Sequence, residues 1–176
     1  MNPKYEFTGE TMDCFGYTLR QIEAIENFGD VKKGDIGGWI ETEKNLSMYG
    51  NAWVSDDARV FGNARVSGDA RVSDDARVSG DAWVSGDARV FGDALVSDDA
   101  RVFGQYDYIL IGAIGSRNDA TTFFRLKQGG IGVKCGCFFG TIDEFEKAVH
   151  KTHAGNEHEK AYMAAIRMVK EVMIHD

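Results

Sequence analysis

Valine returns at every sixth position from Val54 to Val102, and alanine keeps the same interval from Ala52 to Ala100, nine times each without a slip. The repeated hexad reads Val, Ser or Phe, Gly or Asp, Asp or Asn, Ala, and usually Arg. An α-helix needs apolar residues at intervals averaging 3.6, and the Gly-Asp, Asp-Asp and Gly-Asn pairs would break one. Isolated hairpins fail as well, because each short strand would bury a single valine. Coiling stacks all the valines into one continuous core. The pattern therefore predicts a parallel β-helix of hexapeptide repeats.

If three hexads close one triangular coil, residues eighteen apart lie above one another at about 4.8 Å, the spacing of any β ladder. Valine then lines the interior, alanine fits tight corners, and Gly, Asp and Asn suit the turn backbone. Extended upstream, the register puts Ile40 and Leu46 in the alanine slot and Met48 in the valine slot. Coiling would then run from near Ile36–Ile40 to Gly104, with Tyr106 replacing the next alanine. Trp53, Trp83, Phe61, Phe91 and Phe103 are expected to point outward among arginines, a mixture enriched at protein interfaces. That exterior leads to an expected homotrimer packed through the prism faces, beside which solvated Arg–Asp ladders are a weaker account of the same residues.

The flanks read differently. Residues 1–39 hold mixed apolar residues and a turn-rich run from Phe28 to Trp39, which suits an N-terminal β cap over an otherwise open coil. Leu19 to Asn27 is compatible with a short helix. Residues 40–104 form the β-helix. Residues 105–176 form an α+β domain of three strands, Tyr106–Ile111, Thr121–Leu126 and Ile131–Cys137, followed by two helices. The first helix opens on the capping box Thr141-Ile142-Asp143-Glu144, the second at Asn156 with Glu159. Their apolar faces are Ile142, Phe145 and Val149, then Tyr162, Ile166, Val169 and Met173.

Composition narrows the partners. A formal charge of −8 without a clustered Lys/Arg footprint argues against a nucleic-acid polymer. No run of eighteen apolar residues and no apolar stretch behind the N-terminus favours a membrane or secretion, so cytoplasm is the expected compartment. Three cysteines, Cys14, Cys135 and Cys137, fit a reducing environment.

The run Phe28-Gly29-Asp30-Val31 to Gly37-Gly38-Trp39-Ile40-Glu41, then Asn45-Leu46-Ser47 and the Val-x-x-Asp-Ala-Arg coils, resembles a set of bacterial and bacteriophage hexapeptide-repeat proteins. Ile114-Gly115-Ser116-Arg117-Asn118-Asp119 and Cys135-Gly136-Cys137-Phe138-Phe139-Gly140-Thr141 resemble the tail of phage-borne members. The resemblance implies left-handed coiling, against the usual right-handed crossover, together with a trimer and a phage setting. It names no reaction.

Candidate chemistry lies outside the coils. Many left-handed β-helix proteins are acyltransferases with a histidine base, yet the coils here carry no histidine; His150, His153, His158 and His175 all fall in the expected C-terminal helices. Cys135-x-Cys137 with His150 and His153 is poorly spaced for structural zinc, so no metal is assigned. No catalytic residue or cofactor is assigned either. Gly115, Ser116, Arg117, Asn118 and Asp119, with Thr121, Thr122 and Arg125 beyond them, offer a glycine-rich loop, hydroxyls and guanidinium groups for an anion or nucleotide, and Thr141 offers a helix N-terminus. The same Gly-Ser-Arg-Asn-Asp run is also an ordinary hairpin turn. The expectation is a non-enzymatic trimeric binding protein, phage-encoded, that sequesters a host signalling nucleotide or inhibits a host defence protein. An acyltransferase and a purely structural trimer are the alternatives.

Overall fold

A computed structural model describes residues 3–173, so His175 lies outside the described residues. The chain divides between Gln105 and Tyr106 into two units.

The first unit is a parallel β-solenoid. Strands β4 (Trp53–Val54), β7 (Arg71–Val72) and β10 (Arg89–Val90) stack into one sheet, and β6 (Arg65–Val66), β9 (Trp83–Val84) and β12 (Arg101–Val102) into a second. The third sheet joins β5 (Arg59–Val60), β8 (Arg77–Val78) and β11 (Leu95–Val96). Every pairing within these stacks is parallel and eighteen residues apart, as Val60 on Val78 and Val78 on Val96. All nine valines and all nine alanines of the hexads are buried. The third residue of each hexad explains the Gly/Asp alternation: Asp56, Gly62, Gly68, Asp74, Gly80, Gly86, Gly92 and Asp98 all take positive φ. Glycine adopts that conformation freely, and aspartate tolerates it better than most residues.

The first coil departs from the expected register. Ile40 pairs with Val60 and Leu46 bridges to Val66, which puts both in the valine slot rather than the alanine slot, while Met48 is only half-buried. The cause is a longer corner, because eight positions rather than six separate Leu46 from Val54. Carbonyls that would accept from a preceding coil meet side chains instead. Lys4 Nζ donates to the carbonyls of Ala52 (2.8 Å) and Gly50 (3.2 Å), and Asn45 Nδ2 to those of Ala64 (2.9 Å) and Gly62 (3.1 Å). Buried backbone groups need such partners, and polar side chains at a solenoid end supply them.

Lys4 leads into an N-terminal antiparallel hairpin, β1 (Tyr5–Cys14) and β2 (Tyr17–Ala24), whose second strand pairs with β3 (Ile36–Ile40), and Asn45 ends the short helical turn Glu43–Asn45 that follows β3. The helix expected over Leu19–Asn27 is therefore a strand through Ala24. Leu19 and Ile22 are both buried at a helix-like interval of three because the pairing register slips between Gln21 and Glu23, which re-aims the side chains. Two residues expected outside are covered. Trp53 is 5% exposed, with its ring against Tyr5 and Phe28, and Phe61 is 7% exposed beneath Phe15 and Tyr17. Trp83, Phe91 and Phe103 remain exposed as expected.

The second unit is an antiparallel meander, β13 (Tyr108–Ile114), β14 (Asp119–Arg125), β15 (Ile131–Cys135) and β16 (Phe138–Thr141), followed by α1 (Ile142–His153) and α2 (Glu157–Met173). It holds four strands rather than three. Four residues behind a tight turn gave too little periodicity to read β16 as a strand. Both caps are present: Thr141 Oγ1 accepts from the Glu144 N–H, and Asn156 Oδ1 from the N–H groups of His158 and Glu159. The helix residues Ile142, Phe145, Val149, Tyr162, Ile166, Val169 and Met173 pack on Phe123, Ile131 and Val133 of the sheet.

Candidate functional site

The glycine-rich run closes the β13–β14 hairpin. The Asn118 N–H donates to the Gly115 carbonyl at 3.2 Å, and Gly115 and Asn118 both take positive φ. Gly115 is required there twice over, since any side chain would collide with the phenol of Tyr162. The turn thereby delivers Ser116 and Arg117 to the wall of a cavity of about 270 Å³. The loop's glycine backbone is packed against a side chain, which differs from an open cradle of N–H groups.

The other expected residues take up local structural tasks. Asp119 Oδ1 accepts from the Ala120 N–H at 2.8 Å. Thr121 is fully buried and donates to Cys135 Sγ at 3.2 Å, and Thr122 is buried in the same strand. Arg125 Nε pairs with Asp107 at 3.0 Å. Thr141 caps α1, and Glu144 returns the contact at 2.8 Å to the Thr141 N–H, which holds its carboxyl below the usual range. Of the nine expected ligand-binding residues, the structure brings Ser116 and Arg117 together at the cavity and leaves the rest outside its lining.

What completes the cavity comes from the β15–β16 turn and the two helices. Cys135 and Cys137 enter from the turn, Phe138 and Phe145 form an apolar wall, and His153 and Tyr162 face in from α1 and α2. Arg117 Nη2 lies 3.8 Å from Cys137 Sγ, and Tyr162 Oη lies 3.5 Å from Cys135 Sγ. Burial, then the hydrogen bond with Cys135, pushes the Tyr162 phenol above its ordinary value, so it stays protonated near neutral pH. The rings of His153 and Tyr162 are 5.8 Å apart. An imidazole, a phenol, a guanidinium and thiols thus share one partly apolar cavity. Cys135, Cys137 and His153 stand out in the sequence as a poorly spaced metal set, but nothing in their spacing announces that they share a cavity with Tyr162. Tyr162 was legible only as a core residue. Among the described residues no group of three or more His, Cys, Asp or Glu side chains is arranged to hold a metal ion. No described helix is long and apolar enough to cross a membrane.

A second, more polar groove of about 630 Å³ runs along the solenoid, where Arg71 and Arg89 stack beside Asp69, Asp74 and Asp87. Arg71 pairs with Asp30, and burial followed by the neighbouring Arg89 lowers its pKa. Asn51 Nδ2 donates to Asp69 at 2.8 Å. The groove thus holds the Arg71–Asp30 pair among further charged side chains, and histidine is absent from its lining.

Comparison with known proteins bears on the solenoid. Residues 52–71 and 70–86 match the family described as YdcK beta solenoid repeat. A 38-residue stretch is 53% identical to a protein of Escherichia coli (strain K12) named "Uncharacterized acetyltransferase YdcK", taking in 22% of this chain and 12% of that relative. The match corrects the expectation of a non-enzymatic binder of nucleotides or host proteins. What the coils are similar to carries an acetyltransferase name, in line with the acyl-transfer alternative.

Proposed function

We propose that this chain is an acyltransferase of the hexapeptide-repeat type, taking an acyl group from a thioester donor such as acetyl coenzyme A. The observation that carries the reading is the convergence of His153, Tyr162 and Arg117 on one cavity beside the apolar wall of Phe138 and Phe145. His153 accepts the proton of the attacking acceptor, the general-base task that imidazole performs near neutral pH. The Tyr162 O–H and the Arg117 guanidinium face the negative charge that develops on the thioester oxygen. A cavity of about 270 Å³ admits the acyl-thioester end of the donor, not its nucleotide. The solenoid similarity supports the same class. Exposed Trp83, Phe91 and Phe103 support assembly as a homotrimer, which light scattering at micromolar concentration checks directly.

Calorimetry with acetyl coenzyme A, and mass-spectrometric detection of free coenzyme A over a panel of amine and hydroxyl acceptors, tests the reading. His153→Ala is expected to lower turnover about 100-fold or more. His150→Ala, whose Nδ1 pairs with Glu159 at 2.6 Å away from the cavity lining, is expected to stay within about twofold. Absence of donor binding, or equal turnover in His153→Ala and the parent, overturns the assignment.

A further inference from the structure

The acyl-transfer reading makes no use of the two thiols at the cavity's edge, and their arrangement stands independently of it. Cys135 ends β15 and pairs across the hairpin with Phe138, leaving Gly136 and Cys137 as the two turn residues. Gly136 has φ +55, and a side chain there would need the space that Arg117 Nη1 occupies, so the guanidinium lies over the turn between the cysteines. Cys137 is exposed and Cys135 half-buried, while Cys14 is buried in the first unit against Leu19 and Phe61.

We propose that Cys135 and Cys137 form a redox-active dithiol that exchanges with small-molecule disulfides of the glutathione class. Three features support this. Residues two apart around a tight turn are separated by about 5–7 Å between Cα atoms, given virtual bonds of about 3.8 Å, and this overlaps the roughly 4.4–6.8 Å a disulfide spans. The exposed sulfur has a permanent cation, the Arg117 guanidinium, beside it at 3.8 Å, which attracts a reagent that carries carboxylates. The inner sulfur has two hydroxyl neighbours, Thr121 at 3.2 Å and Tyr162 at 3.5 Å, of which Thr121 donates to it and the protonated phenol is able to, so a negative charge on Cys135 is served.

The exchange proceeds in two displacements. The Cys137 thiolate attacks one sulfur of the reagent disulfide; the reagent S–S bond breaks, and the departing thiolate takes up the proton Cys137 released. The Cys135 sulfur then attacks Cys137 in the mixed disulfide, and the second reagent thiolate leaves with the proton from Cys135. Two protein thiols are oxidised to one disulfide, and one reagent disulfide is reduced to two thiols.

The test equilibrates the full chain in buffers of graded oxidised-to-reduced glutathione, quenches by alkylation and maps the peptides by mass spectrometry. The parent is expected to lose the mass of two hydrogens in the peptide carrying Cys135 and Cys137, reversibly with reduced glutathione, while Cys14 is alkylated throughout. Cys135→Ser is expected to trap one glutathione on Cys137. Cys137→Ser is expected to form no internal disulfide and to accumulate its adduct on Cys135 about tenfold more slowly. Arg117→Gln is expected to slow the first step about threefold. Separate glutathione adducts on both cysteines of the parent, no reaction at either, or reaction of Cys14 at the same rate would each overturn the proposal.

Discussion

Val78→Ala measures how far the coiled valines hold the solenoid together. Val78 is fully buried, stacked between Val60 and Val96 in the same sheet. The substitution removes two methyl groups, worth about 0.8 kcal/mol each in transfer from water. A residual void of some 40 Å³, at about 24 cal/mol per Å³, adds roughly 1 kcal/mol because close-packed alanine corners limit collapse. The expected loss is about 2.5 kcal/mol, or about seventyfold in the unfolding equilibrium. Asp75→Ala in the same coil changes an exposed side chain and should stay within about 0.5 kcal/mol. Urea unfolding followed by far-UV circular dichroism reads both. Equal midpoints for the two variants would refute the claim that the interior valine stack carries the solenoid's stability.

Three further outcomes follow from particular contacts. Gly86→Ala should cost about 2–3 kcal/mol, because φ is +64 and the new Cβ meets the Phe103 carbonyl oxygen, whereas Asp74→Gly should stay within about 0.5 kcal/mol, relief of positive φ offsetting the lost contact to the Gly92 N–H; thermal melts compare them. Thr141→Ala removes the acceptor for the Glu144 N–H and should lower stability by about 1 kcal/mol in denaturant titration. Burial, then Arg71, pushes the Lys4 amine down to about 8 from its ordinary 10.5, so between those values the unfolded chain binds more protons and stability should rise with pH. Burial, then Glu43, raises the Tyr5 phenol, and Tyr162 is raised too; above pH 10 the folded state keeps protons the unfolded chain releases, so stability should fall. Denaturation midpoints across this range check the turnover, and Lys4→Met should flatten its rising limb.

The solenoid was legible from the residues alone, because a period of six is incompatible with a helix and each valine can be buried only by its neighbours eighteen positions away. Both helix caps were legible as well, since they are local hydrogen bonds between residues two to three apart. The register of the first coil was not legible, since one longer corner after Leu46 shifts every earlier residue by two and nothing in the hexads announces it. Trp53 and Phe61 look outward by periodicity alone; only the N-terminal segment, with Tyr5 and Phe28 over Trp53 and Phe15 and Tyr17 over Phe61, covers them. The cavity is a tertiary product for the same reason. Ser116 and Arg117 come from one hairpin, Cys135 and Cys137 from another, and His153 and Tyr162 from two helices, and no local spacing encodes their convergence. Packing of the helices on the sheet decides it.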